Sequence, residues 1–443
     1  MNHEDYMQVA LGLAIKGQGS VRPVRDRSRL WRDRKSATPT SVLVSDKTKE
    51  NAFDRESCIS NGVSPNPMVG AVIVRNNRII GQGYHQYFGG PHAEINAINS
   101  VKNPEHIKGS TLYLTLEPCS HFGKTPPCAD AICHSGIKKV VMAIRDPNPL
   151  VRGNGVRMLK KHHINVIEGV LAKEARAINA PFFKTQETGM PYVIAKWAMS
   201  MDGKLVTRPG ESRWITSKKS REYAKSIRGQ SQAVLVGIGT ALKDNPGLMA
   251  NMKPNNVILS KAKNLIKNDN ETLHCVRWTR SLRVQGDSHG NPIRVILDSK
   301  ARLPLNSKLV KTLAQGPVWV LAADSALKSR VAGLEKKGVR VFSVPARKGH
   351  PPDLASRAGL DFKAALKTLV KNGINKLMIE GGPEVLASAF RNKAVDEVYC
   401  FIAPKTLSDK NIGAGIFGVA KSLQLNDITV KYLKPDALVH GYV

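Results

Sequence analysis

Three short segments constrain this chain more than anything else in it: Pro91-His92-Ala93-Glu94, Glu117-Pro118-Cys119 and Pro126-Pro127-Cys128. Their imidazole, carboxylate and two thiols carry joint chemistry only if the fold brings all of them to one point. One imidazole and two thiolates fill three corners of a tetrahedral Zn²⁺ centre and leave the fourth for water. Water held there loses a proton near neutral pH. Glu94, a carboxylate two residues from His92, is placed to carry that proton. Cys128 stands at the start of a predicted helix behind two prolines, where exposed N–H groups and the helix dipole favour its thiolate. Cys133, further along that helix, reads as a packed core thiol, and His121, near Cys119, is an alternative ligand.

The surroundings read as alternating strands and helices, which predicts an α/β layer structure. Apolar residues at Met7, Ala10, Leu11, Ala14 and Ile15 have helical spacing, and Gly17 ends the run. Strands are predicted at Val69–Val74, Ile79–Gly83 (after an Asn76-Asn77 turn), Thr111–Leu116 and Lys139–Ile144, with helices after His92 and after Pro127. A closing strand and a connecting helix, Ala172–Asn179, lead to a boundary near 180–190. A second α/β pattern then begins. Its predicted strands are Val193–Ala198, Ala233–Gly237, Val295–Asp298, Val318–Ala322, Val339–Val344 and Lys376–Ile379. Its helices are Lys218–Arg228, Phe362–Lys371 and Glu384–Arg391. A chain of 443 residues is too long for one ordinary core, so the expectation is two domains, 1–185 and 186–443. Each carries a basic stretch without lasting apolar period, about 20–62 and about 255–290, read as inserted surface loops.

The formal net charge is +32, from 67 lysines and arginines against 35 acidic residues, and such a field attracts phosphate-bearing molecules and polyanions. Six cysteines in this length read as thiols or metal ligands before disulfides. No apolar run reaches the length of a membrane span, and Met1-Asn2-His3-Glu4-Asp5 lacks the basic start and apolar stretch of a secretory leader. A cytoplasmic protein with no membrane partner is expected.

The cysteine spacing narrows the chemistry. His-x-Glu followed by Pro-Cys and a second cysteine is the pattern of zinc nucleobase deaminases, which place two residues between the cysteines. Here eight intervene, as Ser120 to Pro127. This longer form resembles the deaminase half of the bifunctional deaminase–reductases of riboflavin biosynthesis. The likeness extends to Pro65-Asn66-Pro67-Met68-Val69-Gly70, Gly83-Tyr84-His85 and Asp146-Pro147-Asn148-Pro149. It implies a cytidine-deaminase-like three-layer domain in which His92, Cys119 and Cys128 hold zinc, Glu94 shuttles the proton and Asn66 binds the pyrimidine ring. In this chain the stretch 20–62 interrupts the family's direct path from the first helix into the Pro-Asn-Pro loop.

Residues beyond about 190 resemble the same family's reductase, with a fold similar to dihydrofolate reductase. The matching pieces are Lys196 to Lys204, Gly210 to Thr216, Gly237-Ile238-Gly239-Thr240, Asp244-Asn245-Pro246 and Ile379-Glu380-Gly381-Gly382-Pro383. The last follows a strand and opens a helix, where glycines let backbone N–H groups approach phosphate. A Rossmann fingerprint would need glycine at position 242, which is Leu242. The resemblance implies NADPH as cofactor, contacted by Met199, Trp214, Thr240, Asp244, Ser299 and the loop opening with Gly382, Pro383 and Glu384 and running to Ser388. It also implies a substrate contacted by Ser212, Arg228, Leu248 and Glu380, with Arg228 suited to a ribose phosphate. Asn251 stands where the family usually carries an arginine. The function implied is deamination of a phosphoribosylamino-pyrimidine followed by reduction of its ribosyl group, with a phosphorylated small-molecule substrate and a homo-oligomeric assembly. Two alternatives are a nucleic-acid-editing deaminase, raised by the arginine-rich stretch and opposed by the cysteine spacing and the reductase motifs, and an enzyme with one damaged site.

Overall fold

The computed structural model describes residues 1–17, 62–121, 126–149, 151–205, 214–250, 291–346, 359–407 and 423–443. The stretches 20–61 and 255–290, with Ser212 and Asn251, lie outside the described residues.

The first unit is built on the sheet β2-β1-β3-β4-β5. Strands β1 (Gly70–Arg75) and β2 (Arg78–Tyr84) form a hairpin, its turn made by Asn76 and Asn77, both at positive φ. Strand β3 (Thr111–Leu114) runs antiparallel to β1, and β4 (Lys139–Met142) and β5 (Asn165–Glu168) continue parallel to β3. Alternate residues of these strands face opposite ways, as the two-residue period of a strand requires. Ala71, Ile73, Leu112 and Leu114 pack with Ala93 and Ala97 of α2 (Ala93–Asn99), Ile132 of α3 (Cys128–His134) and Leu159 of α4 (Asn154–Lys161). Val72, Val74, Tyr113 and Val141 pack with Tyr6, Met7, Ala10 and Leu13 of α1 (His3–Lys16) and Ala175 of α5 (Ala172–Ile178). The unit is therefore three-layered. Leu116 and Ile144, predicted as strand ends, instead belong to the exit loops. The predicted connecting helix, Ala172–Asn179, is α5, and a second helix not predicted, α6 (Ala180–Thr188), follows where Asn179 leaves helical geometry and Pro181 opens a new first turn.

The second sheet begins with β6 (Tyr192–Ser200) and has the order β10-β9-β8-β7-β11-β6-β12-β14-β13. Strands β7 (Ala233–Gly237), β8 (Ile293–Leu297), β9 (Val318–Ala323), β10 (Arg340–Val344), β11 (Lys376–Ile379) and β12 (Glu397–Ala403) all run parallel with β6. The chain leaves β6 for β7, travels outward to β10, and returns to set β11 between β6 and β7. That makes a topological switch point, where open α/β sheets hold ligands at the carboxyl ends of their strands. One face is covered by α11 (Phe362–Lys371) and α12 (Pro383–Arg391), through Phe362, Leu366, Leu386 and Ala389. The other takes α7 (Lys218–Gly229) through Ala224 and Ile227, α8 (Ile238–Asp244) through Ala241, α9 (Lys308–Lys311) through Leu309 and α10 (Lys328–Lys336) through Leu334. The antiparallel hairpin β13 (Asn426–Leu433) and β14 (Asp436–Tyr442) completes the edge beyond β12.

Helix α2, which carries Glu94, can approach β2 this closely only because Gly83 has no side chain. A Cβ there would lie 2.3 Å from both Ala93 O and Ala97 N. Gly83→Ala is expected to push α2 outward and destabilise the first unit by about 1–3 kcal/mol. Thermal denaturation would show this as a lowered midpoint, and an unchanged midpoint would contradict the packing.

Candidate active sites

Glu117 holds the loop that presents Cys119. Its buried carboxylate accepts from Asp146 N (3.2 Å) and Gly153 N (3.0 Å) through Oε2, and from Val156 N (3.3 Å) through Oε1. These donors belong to the β4 exit loop and the first turn of α4, whose N-terminal N–H groups need acceptors. Pro118 O lies against Gly155, where an added Cβ would be 2.3 Å away. Opposite, Cys128 opens α3 and donates its backbone N–H to Cys119 Sγ (3.3 Å).

His92 N-caps α2 and turns Nδ1 toward both sulfurs. Nδ1 lies 3.5 Å from Cys119 Sγ and 3.3 Å from Cys128 Sγ, and the three donor atoms all fall within 4.8 Å of one another. A tetrahedral centre with Zn–N of about 2.0 Å and Zn–S of about 2.3 Å places N and S about 3.5 Å apart, so this donor set fits zinc. His121 lines the same cavity but is not in that donor group, and Cys133 packs against the core as read from sequence.

The ionisable groups crowd one another. Burial pushes the Glu94 carboxyl up to about 7 despite the pull of His92. Hydrogen bonding with Cys128 brings the Cys119 thiol down to about 4. The same bond, with burial, drives Cys128 strongly upward. His92 is raised, chiefly by its hydrogen bond with Cys119. Ionising the second thiol and the Glu94 carboxyl here calls for a positive charge among them, which a bound divalent cation provides. Glu94 Oε2 is buried with no hydrogen-bond partner among the described residues, an acceptor awaiting a proton-bearing group.

Asn66 stands over this centre. Its Nδ2 donates to His85 Nε2 (3.1 Å), while His85 Nδ1 donates to Pro91 O (3.0 Å), so the imidazole is the Nδ1–H tautomer. That bond points the Asn66 amide nitrogen at His85 and frees its oxygen for another partner. Burial, first among its causes, lowers the His85 pKa and keeps the ring neutral. The His85 motif was visible in the sequence, but its role was not. Asn66, His85, His92, Glu94 and Cys119 line one cavity of about 710 Å³, within the roughly 300–1,000 Å³ of small-molecule sites.

The second set of expected residues gathers at the carboxyl edge of the other sheet. Met199 ends β6, Thr240 follows β7, Ser299 follows β8, and Glu380 leads from β11 to the Gly382, Pro383 and Glu384 start of α12. Gly382 N donates to Thr240 Oγ1 (3.2 Å), tying the glycine turn to α8. Glu384 is exposed in the first turn of α12, where a carboxylate complements the helix dipole. Asp244 is exposed one turn beyond Thr240, and Trp214 is half-exposed with the Arg221 guanidinium 4.6 Å over its ring.

Arg228 is largely withdrawn from solvent, with 15% of its side chain exposed. It grips Glu380 bidentately, through Nε to Oε1 and Nη2 to Oε2 (2.8 Å), and Nη1 donates to Met249 O (2.8 Å). Lys196, which was not singled out from sequence, lies 3.6 Å from Glu380 Oε2. Burial would raise Glu380, but Arg228 and Lys196 outweigh it and hold the carboxyl down to about 2. Leu248, at φ +52, is 5% exposed and packs into the core, on a loop held by Arg228 at Met249 and by the buried Arg294 at Gly247 O (3.4 Å).

Residues 191–439 match the RibD C-terminal domain family, and residues 54–144 match the cytidine and deoxycytidylate deaminase zinc-binding region. The chain is 38% identical to the riboflavin biosynthesis protein RibD of Aquifex aeolicus, over 85% of this chain and 92% of that protein. It is 33% identical to the RibD of Escherichia coli, over 85% and 93%. Among solved structures it is similar to Acinetobacter baumannii RibD, with a TM-score of 0.70, 29% identity, and coverage of 99% of this chain and 98% of that one. A Thermotoga maritima diaminohydroxyphosphoribosylaminopyrimidine deaminase/5-amino-6-(5-phosphoribosylamino)uracil reductase superposes with a TM-score of 0.67, 30% identity, and coverage of 99% and 98%. The three-layer unit is thus cytidine-deaminase-like and the nine-stranded unit is the dihydrofolate-reductase-like partner, as the sequence led us to expect.

Because Glu380 is held near 2 in the folded chain against an ordinary 4.5, its stabilisation is complete above about pH 4.5 and lost as the pH falls through about 2. Glu380→Gln, which leaves Arg228 buried without its partner, should cost about 3–5 kcal/mol at neutral pH. It should also flatten the acid limb of a stability-versus-pH curve; an acid limb identical to wild type would contradict the pair.

Proposed function

The chain belongs to the RibD family, and from that premise we propose that it catalyses two consecutive steps of riboflavin biosynthesis at two separate sites. In the first unit a diaminohydroxy-phosphoribosylaminopyrimidine is deaminated hydrolytically. In the second its ribosyl group is reduced to the ribityl chain with NADPH. The convergence of His92 Nδ1, Cys119 Sγ and Cys128 Sγ beside the partnerless Glu94 Oε2 carries the deaminase reading.

His92, Cys119 and Cys128 would hold zinc, which supplies a nucleophilic water at neutral pH. Glu94 acts as the proton carrier. Its Oε2 takes the proton given up by the attacking water and returns it to the departing amine, so ammonia leaves uncharged. A carboxyl that burial has already made more basic suits that exchange. Asn66, oriented by His85, fixes the pyrimidine edge so that the carbon bearing the amine faces the nucleophile.

In the second unit NADPH supplies the hydride, and the protein's task is orientation. The N-terminal N–H groups of α12 behind Gly382 and Pro383, with Thr240 and Ser299 alongside, suit the dinucleotide phosphates. Met199 and Trp214 suit its rings, with Asp244 at the outer end. Glu380, fixed by Arg228 and Lys196, suits substrate hydroxyls, and the family resemblance adds Leu248 and Ser212 as substrate contacts. Two N–H groups of Arg228 remain beyond the three already donated, enough for one phosphate oxygen.

No helix of the described residues is long and apolar enough to cross a membrane. Cys133 and Cys400 as thiols and Cys119 and Cys128 as metal donors, none of them in a disulfide, suit a reducing cytoplasm. Ile428, Val430 and Tyr432 stand exposed on one face of the edge strand β13, which supports assembly into a homo-oligomer.

Ammonia release and NADPH oxidation, followed separately, test the two-site reading. Glu94→Ala is expected to lower ammonia release by at least about 10²-fold while leaving NADPH oxidation on pre-deaminated substrate intact. Loss of both activities together, or of neither, would overturn it.

A further inference from the structure

The cavity over the zinc donors is not walled by the deaminase unit alone. Its lining continues from His92, Glu94 and Cys119 to Lys371, Gly373 and Asn375, in the turn that joins α11 to β11 of the reductase unit. This turn is built rather than merely adjacent. Gly373, at φ +86, ends α11 in the left-handed conformation that glycine permits. The Gln232 side chain accepts from Asn375 N (2.7 Å) and Lys376 N (2.9 Å), and donates to Gly373 O (2.9 Å). Asn375, itself 7% exposed, donates through Nδ2 to Pro65 O (2.9 Å), one residue from Asn66. A side chain of the reductase unit thus holds the loop that carries the proposed pyrimidine contact.

The charges on that wall differ from those at the zinc end. Among the described lining residues, carboxylates come from Glu94, Glu117 and Asp146, all on the deaminase side, and Lys371 supplies the lysine ammonium. A substrate with its pyrimidine over His92 and Cys119 must carry its phosphate away from three carboxylates, and the cationic wall offers the complementary position. Lys371 is exposed at the end of α11, so its charge reaches the cavity without a desolvation cost.

Resting on the deaminase reading above, we propose that the reductase unit completes the deaminase site. Lys371 is a specificity-determining residue that takes the substrate's phosphate, and Asn375 is a positioning residue that holds the Pro65–Pro67 loop. The deaminase then selects phosphorylated over unphosphorylated substrate through a residue of the other domain.

The test uses the full chain and two probes, the phosphorylated pyrimidine substrate and its dephosphorylated form, with ammonia release as readout. Lys371→Ala should raise KM for the phosphorylated probe about tenfold or more, leave kcat within about twofold, and leave the dephosphorylated probe unaffected. Lys371→Arg should restore most of the loss. Asn375→Ala should lower deaminase kcat/KM on both probes while NADPH oxidation on pre-deaminated substrate stays at the wild-type value. Equal effects of Lys371→Ala on the two probes, or none, would overturn the phosphate assignment. A parallel fall of both activities in Asn375→Ala would reduce that residue to a structural role. If the wild-type chain releases no ammonia from either probe, the deaminase reading fails first, a result distinct from the other two.

Discussion

An imidazole, two thiols and a carboxylate buried within a few ångströms of one another form the constraint on which the first unit depends. Without a cation the cluster is electrostatically frustrated, with Glu94 driven up, Cys128 driven up, and Cys119 ionised only through its neighbour. A fold retains such a cluster when a bound ion offsets its cost, and the surrounding architecture serves that end. Glu117 ties the Cys119 loop to α4, Gly155 lets Pro118 sit against it, and Gly83 lets α2 carry His92 and Glu94 close to the sheet. Removing any of these leaves the donors chemically intact but displaced.

The second unit solves a different problem with a different buried cluster. Arg228, Lys196 and Glu380 meet beneath the crevice opened by the switch point, two cations on one carboxylate. The carboxylate is held ionised at the carboxyl edge of the sheet, near Thr240 and Ser299. The two centres use opposite ends of that sheet. The deaminase cavity touches Gln232, Ile293 and Asn375 at the amino ends of β7, β8 and β11, whereas Thr240, Ser299 and Glu380 follow the carboxyl ends of the same strands. A strand of four or five residues, about 13–17 Å, lies between them.

Much of this was legible in the sequence because the chemistry imposes local patterns. His92-x-Glu94 and the two Pro-Cys pairs identified the donor set, and the strands bearing continuous apolar runs, such as Ala233–Gly237 and Lys376–Ile379, were found close to their true limits. Less legible were features that depend on partners distant in the chain. Arg228 read as a partner for a ribose phosphate, and its grip on Glu380, 152 residues later, was not foreseen. Asn375 drew no reading from sequence, and it bonds Pro65 across 310 positions. No element was predicted after Arg391. The signals were present but went unread: β12 is a continuous apolar run, and along β13 Ile428, Val430 and Tyr432 alternate with Thr429 and Lys431. The role of Leu248 was implied by resemblance alone, and its side chain is engaged in core packing.

Zinc K-edge X-ray absorption on the purified full chain, together with its metal content, decides whether His92, Cys119 and Cys128 hold a metal. One zinc per chain is expected, with one nitrogen and two sulfur neighbours completed by a light oxygen donor. In Cys128→Ser one sulfur fewer and weakened retention of the metal are expected. Zinc bound only by oxygen and nitrogen, or a sulfur count that Cys128→Ser leaves unchanged, would contradict that coordination.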